Sequence, residues 1–353
     1  MSGDFVWRDA GRTVVCRRDG VAQAAQILNE HGFASFELIG SRRALATAPE
    51  LTATATAVHE VGAGQVPTLA AALLGPPPTG RRADMSSLAR HIGPSAANRL
   101  VALGGGRPID VAKAVASVTG AEVAAIPTTM SGAEMTGIHR LPSGAESRVG
   151  AMVRPRLVIA DPAAMTGQPE RQLRASSMNA LAHGADSLYT PFANPVAEMA
   201  ALRGAALIAG SLDQDREERD PAPLALGSIL CGYAIDSAMF GLHHVVCQTL
   251  VRVCGSPHAE TNAAILPRAA AFLAKRAPEP FASFAEAIGT DRKGLEPRIL
   301  ELGGNPPGLG EIGADYAHLD SAIEAMLQRP ELTSVPGPPL TKGDLAELID
   351  HAW

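Results

Sequence analysis

Residues 101–116 read VALGGGRPIDVAKAVA, and this stretch decides the fold. The apolar run Leu100–Leu103 lacks polar alternation, as expected of a strand buried on both faces of a parallel sheet. It leads into Gly104, Gly105 and Gly106, then into a helical pattern with Pro108 in its first turn, where a missing N–H costs little. Three glycines let the backbone approach a diphosphate closely, and the helix N-terminus supplies unbonded N–H donors. The stretch reads as strand, phosphate loop and helix; the plainer alternative is a tight turn with no ligand. The GxGxxG spacing is absent, and GAGQVP (62–67) matches only its first half and reads as a turn.

Working outward, the N-terminal part alternates strands and helices. TVVC (13–16), FELIG (36–40), RLVALGG (99–105), AAIPTT (124–129) and RLVIADP (156–162) read as strands. VAQAAQILNEHG (21–32), ALATAPELTATATA (44–57), TLAAALLG (68–75) and SSLARHIG (86–93) read as helices, with PPPTG (76–80) a rigid loop. This alternation predicts a parallel sheet with crossover helices. Beyond Asp161 the strand-like runs vanish and the segments are Ala/Leu-rich and helical. A boundary near Pro162 gives an α/β domain, residues 1–162, and an all-helical domain, residues 163–353.

The chain has 353 residues, 46% hydrophobic and 19% charged, enough for two packed domains. A net charge of −6 without a basic run argues against a nucleic-acid partner. Four cysteines without a CxxC pair give neither a disulfide framework nor a zinc cluster. MSGDFVWRDAGR carries no apolar signal core and no stretch of about 18 apolar residues is expected to span a membrane, so a cytoplasmic enzyme acting on a small molecule is expected.

Three further loops bear on ligand binding. In IPTTMSGAEMTG (126–137), Thr128, Thr129 and Ser131 follow a strand and offer hydroxyls and loop amides to a ribose, an amide or a phosphate. In LIGSRRA (38–44), an acid that would hold adenosine ribose hydroxyls is replaced by Ser41, Arg42 and Arg43. Arginine partners phosphate well, which makes NADPH plausible beside NADH.

The helical part holds a histidine set. Asn179 and His183, four apart in SSMNALAHGADSLY, share one helix face. His243, His244 and His258 follow in GLHHVVCQTLVRVCGSPHAETN. Asn179, His183, His244 and His258 can converge on one point. An Asp at 179 would complete a divalent metal site; Asn removes that anionic ligand. His59, His91, His139, His318 and His351 have no such context and read as structural.

The motifs GGGxxxD (Gly104 to Asp110), PTTxxGxExT (Pro127 to Thr136), DP (161–162), NALAH (179–183), GLHH…PHAE (241–260) and the terminal PLTKGDLAELIDHAW occur in one order. Together they resemble the iron-containing (group III) alcohol dehydrogenase superfamily, with its dehydroquinate synthase-like architecture. Asn at 179 and the GLHHxxC…PHAET string are most similar to its maleylacetate reductase branch. The resemblance implies an NAD(P)-dependent oxidoreductase. Its N-terminal α/β domain would bind NADH or NADPH through Ser41, Arg42, Gly104, Gly105, Gly106, Arg107, Asp110, Thr128, Thr129 and Ser131. Its C-terminal helical domain would hold the substrate through Asn179, His183 and His258, with His183, His243 and His244 as catalytic groups. It also implies a homodimer.

The superfamily's zinc or iron positions fall on Asn179, His183, His244 and His258, and a further family histidine falls on Gln248. Arg107 stands where the family carries Ser or Thr, and its guanidinium either touches or blocks the pyrophosphate. The implied reaction is hydride transfer to a conjugated C=C of maleylacetate or a similar unsaturated oxo-acid, without a required metal. Alternatives are a metal-dependent alcohol or polyol dehydrogenase, a lyase resembling dehydroquinate synthase, a biosynthetic enone or imine reductase, and a catalytically silent homologue.

Overall fold

The computed structural model describes residues 11–75, 98–145 and 152–353. The chain forms two compact units, one spanning Ala10–Gly167 and the other running from Gln168 to Trp353.

The first unit is α/β. Its strands are β1 (Thr13–Cys16), β2 (Glu37–Gly40), β3 (Ala57–Glu60), β4 (Arg99–Gly104), β5 (Glu122–Pro127) and β6 (Leu157–Ala160). They form one sheet in the order β1-β6-β5-β4-β2-β3, every pair parallel. The strand side chains alternate between two apolar layers. Leu100, Ala102 and Ile39 pack with α4 (Val66–Leu74) and α5 (Gly106–Thr119), whereas Val101, Leu103 and Leu38 pack with α1 (Ala24–Glu30) and Phe33. Each large aliphatic side chain so buried contributes about 1.5–3 kcal/mol. The chain runs outward from β4 to β5 and β6 on one side and from β2 to β3 on the other. The strand order therefore reverses between β2 and β4, where ligands of open α/β sheets bind outside the strand carboxyl ends.

Three expectations change in this unit. Residues 44–57 do not form one helix: α2 (Arg42–Ala46) and α3 (Pro49–Thr54) are separated at Ala48, whose backbone leaves the helical region just before a proline. Strand β3 adds an edge strand absent from the sequence reading; only alternate residues of its AVHE are half-buried. Helix α1 starts at Ala24 rather than Val21. The expected loop 76–80 and most of the expected helix 86–93 lie outside the described residues.

The second unit is all-helical among its described residues. It contains α7 (Glu170–Ser187), α8 (Pro195–Leu212), α9 (Pro221–Ala238), α10 (Leu242–Val253), α11 (His258–Arg276), α12 (Pro278–Ala287), α13 (Leu295–Leu302), α14 (Leu319–Leu327) and α15 (Lys342–Asp350), after a short α6 (Pro162–Thr166) that ends the first unit. Glycines bring α8 and α9 together. A Cβ at Gly204 would sit 2.8 Å from the Gly227 carbonyl oxygen and 2.6 Å from Cys231 Sγ. Contrary to expectation, α8 is long and apolar enough to cross a membrane. Its Ala201, Gly204, Ala205 and Ile208 are instead buried within the unit.

Between α9 and α10 the chain turns by 97°. Met239 takes a positive φ of 64° there. Gly241 follows with no room for a side chain, since a Cβ would lie 2.1 Å from the Tyr189 hydroxyl. This corner aims the N-terminus of α10 at α7.

Candidate active site

In the α/β unit, the loops after β2, β4 and β5 meet at the sheet's switch point. Gly104 has φ 144°, and a Cβ there would lie 2.9 Å from Pro108 Cγ and 3.5 Å from Ser41 Oγ. A Cβ at Gly105 would lie 3.0 Å from Thr129 Cγ2, and one at Gly106 would lie 3.2 Å from Ser131 Oγ. Glycines are required because two other loops close over this one. The fold thus brings Ser41, Gly104, Gly105, Gly106, Thr129 and Ser131 together. Gly105 caps α5 with no side-chain acceptor, leaving first-turn amides for an anion. The Thr129 hydroxyl is buried without a partner. The Thr128 amide donates to the Gly104 carbonyl at 2.9 Å, tying the two loops. Arg107 is exposed on the first turn of α5. Arg42 is also exposed and pairs with Glu60 at 3.2 Å.

Asp110 has a partner that sequence reasoning missed. It accepts from the fully buried Lys113 at 2.8 Å. Lys113 also donates to the Ala133 carbonyl at 3.0 Å and to Thr136 Oγ1 at 3.3 Å, fastening α5 to the loop after β5. In that loop Glu134 is wholly buried, and neither carboxyl oxygen bonds another residue. Burial pushes its pKa up to about 7, opposed by its own amide and by Lys113 and Arg12.

In the helical unit, α7 carries Asn179 and His183 on one buried face, and α10 begins with His243 and His244. The rings of His183 and His244 stack with centroids 4.8 Å apart, and His243 meets His244 edge-on at 4.9 Å. His258 opens α11 in an exposed position, where its carbonyl accepts from Asn262 Nδ2 at 2.6 Å.

The residue that organises this cluster is Asp186, which the sequence reading passed over. Its carboxylate accepts from the Gly241, His243 and His244 amides at 3.0, 3.4 and 3.2 Å, from Tyr189 Oη at 2.8 Å and from His244 Nδ1 at 2.8 Å. Tyr189 Oη in turn accepts from the Leu242 amide at 2.6 Å. Asp186 therefore caps α10 with a full negative charge and fixes the ring of His244. Burial alone would raise its pKa, but the hydrogen bond and charge of His244, then His243 and Tyr189, hold it far below the usual carboxylate range. A carboxylate is thus present beside the histidines, about two helical turns beyond position 179 on the same helix.

The three buried imidazoles differ. Burial and the neighbouring histidines push the His183 pKa well below its ordinary value. Burial and His244 push His243 down to about 3. Both are neutral at physiological pH. His243 Nε2 donates to the Asn262 carbonyl at 3.3 Å and lies 3.5 Å from Cys247 Sγ. The Cys247 thiol, raised by burial and by Asp186, is inert. His244 bonds a carboxylate through Nδ1, and its buried Nε2 has no partner. His183 Nδ1 is also buried without a partner.

The donor set does not fit a resident divalent metal. A tetrahedral zinc site spaces its ligand atoms about 3.4 Å apart and is held most tightly by anionic donors. Among the described residues, the group of three ligand-bearing side chains with donor atoms within 4.8 Å of one another is Asp186, His243 and His244. Asp186 has already accepted five hydrogen bonds. The trio His183, His244 and His258 forms no such group, and Asn179 adds only a neutral amide.

Comparison with known proteins agrees with this geometry. The iron-containing alcohol dehydrogenase model matches residues 12–162, and the C-terminal model of the Fe-containing alcohol dehydrogenase family matches residues 174–303. Maleylacetate reductase of Burkholderia cepacia is 32% identical over 264 residues, 72% of this chain and 73% of that protein. The solved structure of maleylacetate reductase from Rhizobium sp. strain MTP-10005 superposes with a TM-score of 0.81 at 25% identity, over 99% of this chain and 98% of that one. An iron-containing alcohol dehydrogenase from Corynebacterium glutamicum superposes with a TM-score of 0.83 at 26% identity, over 100% and 97%. The chain is a member of the iron-containing alcohol dehydrogenase family.

Proposed function

We propose that this protein is an NAD(P)H-dependent reductase of maleylacetate or a closely similar unsaturated oxo-acid, and that it works without a required metal. Relatives named maleylacetate reductase, similar over most of the chain, support the substrate class. The observation that carries the chemistry is the Asp186–His244 pair, with His244 Nε2 unpartnered.

When bound, the nicotinamide supplies the hydride. The cluster of Ser41, Gly104, Gly105, Gly106, Thr128, Thr129 and Ser131, with Arg42, Arg107 and Asp110 around it, is the cofactor site in this reading. The α5 N-terminus and the glycine loop take the pyrophosphate. Hydride adds to the alkene carbon β to the ketone, and the π electrons move onto the ketone oxygen as an enolate. The enolate then collapses as its α-carbon takes a proton from His244 Nε2–H. Asp186 accepts from Nδ1–H, fixes the ring, and offsets the positive charge that a ring donating from Nε2–H must carry. His183 and His243, both neutral, orient and exclude water rather than donate the proton. Asn179 contacts the substrate through its amide, where an aspartate would repel a dianion.

The test is a stopped assay with product analysis. NADH or NADPH is supplied with maleylacetate, and 3-oxoadipate is expected one-for-one with oxidised cofactor. Cofactor oxidation only with simple alcohols or aldehydes, and none with maleylacetate, would overturn the reading.

A further inference from the structure

The histidine pocket poses a charge problem. Its buried carboxylate, Asp186, is already taken up by His244 Nδ1 at 2.8 Å and by three backbone amides. With His244 committed to Asp186, a dicarboxylate substrate needs a further cation, and Arg329 stands near the pocket. Arg329 lies between α14 and the 3-10 turn Pro330–Ser334. Its guanidinium sits 5.8 Å from the ring centroid of Phe240, and Phe240 sits 6.2 Å from the ring of His244.

The donors of Arg329 are unevenly used. Nε and Nη2 grip Glu331 at 3.0 and 2.8 Å as a two-point fork. Nη1 and Nη2 also reach Gln248 Oε1, at 3.5 and 3.4 Å, near the outer limit of a hydrogen bond, and Nη1 has no shorter partner. Gln248 lies one turn beyond His244 on α10, at the position where resemblance to the family leads one to expect a further histidine. A neutral imidazole or an imidazolium there would not act as this amide does. A glutamine offers its oxygen to Arg329 when no anion is present. By rotating its amide it can offer two N–H donors to an anion that Nη1 has captured.

We propose that Arg329, assisted by Gln248, binds the substrate carboxylate on the saturated arm, and so selects dicarboxylates over monocarboxylic enones. Of the two carboxylates in such an oxo-acid, this one lies one bond farther from the carbon that His244 protonates. The assignment rests on the proposed unsaturated oxo-acid reading and adds the residue that recognises its second charge. Glu331 keeps the guanidinium aimed while leaving its Nη1 edge open.

The test compares wild type with Arg329→Gln and Arg329→Lys on maleylacetate and on 4-oxopent-2-enoate, which keeps the conjugated carboxylate but lacks the other. Binding of 3-oxoadipate is measured in parallel by calorimetry. Arg329→Gln is expected to raise KM for maleylacetate about 30-fold with kcat within about threefold, as loss of a charge-assisted contact predicts. It should leave kcat/KM for 4-oxopent-2-enoate within about twofold and weaken 3-oxoadipate binding by the same factor as the KM. Arg329→Lys should recover part of the loss. Equal losses on both substrates, or an unchanged KM for maleylacetate, would overturn the assignment. Tight 3-oxoadipate binding that depends on Arg329, in an enzyme that turns over no maleylacetate, would uphold this site and overturn the reaction instead.

Discussion

His244 Nδ1 lies 2.8 Å from an Asp186 carboxylate oxygen, and the same carboxylate holds the first amides of the helix that carries His244. Catalytic orientation and helix capping are one interaction. Replacing His244 with Ala should therefore cost about 10²–10⁴ in kcat, the usual worth of a positioned acid, and should also lower stability, because the buried Asp186 carboxylate loses its imidazole partner. Asp186→Asn should cost both. Turnover should fall about a hundredfold as His244 loses its anchor, and stability should fall by about 2 kcal/mol as the cap loses its charge. Steady-state rates and thermal melts on the two variants separate these effects; a silent Asp186→Asn in both would dismiss the pair.

The same carboxylate predicts an acid limb. Its folded pKa is depressed below the ordinary 3.8, so its stabilising contribution is present above that value and is lost as pH falls below it. Wild-type melting temperature should drop more steeply below about pH 4 than that of Asp186→Asn, as read by circular dichroism.

Glu134 has the opposite sign. Its pKa rises from 4.5 unfolded to about 7 folded, so the native state holds the extra proton between those values. Stability should fall as pH rises through that window, then level off with a deficit on the order of 3 kcal/mol. Glu134→Gln should melt higher than wild type at pH 8 and nearly the same at pH 4.5. Parallel pH curves for the two proteins would show that the carboxyl ionises freely.

Gly241 should tolerate no side chain. The Cβ of Gly241→Ala would fall 2.1 Å from Tyr189 Oη, which also donates to Asp186 at 2.8 Å. Repacking should cost about 3 kcal/mol and displace the His244 anchor, so chemical denaturation and kcat should both suffer. Unchanged values would mean that the α9–α10 corner is looser than described.

Ser41 stands where it would meet the cofactor's 2′-phosphate in the proposed site. Ser41→Asp keeps the α2 cap, since either side chain can accept from the Ala44 amide. It places a negative charge against a 2′-phosphate, so KM for NADPH should rise at least about tenfold while that for NADH stays within about twofold. Equal response to the two cofactors would move the ribose site elsewhere.

Much of this was legible in the chain, for reasons that can be named. The strand before Gly104 is buried on both faces, so it reads as an unbroken apolar run. The helix of Asn179 and His183 shows its spacing directly. Edge strand β3 was not legible, because half of its four residues face solvent and its pattern is short. The split at Pro49 was masked by the alanines on either side. Asp186 hid because its role is set from outside its own helix. In HGADSLY it reads as one more polar helical residue, and only the 97° corner before α10 brings three amides and an imidazole onto it. Lys113 and Glu134 were missed for the same reason, being ordinary residues until two loops close over them.

The most direct test of the central claim is maleylacetate-dependent NADH and NADPH oxidation at 340 nm, measured after exhaustive EDTA treatment and again with added Zn²⁺ or Fe²⁺. Turnover should be unchanged in EDTA, unstimulated by either metal, and lost in His244→Ala. Activity that vanishes with EDTA and returns with metal would contradict that claim, and would make Asn179, His183, His244 and His258 a working metal site.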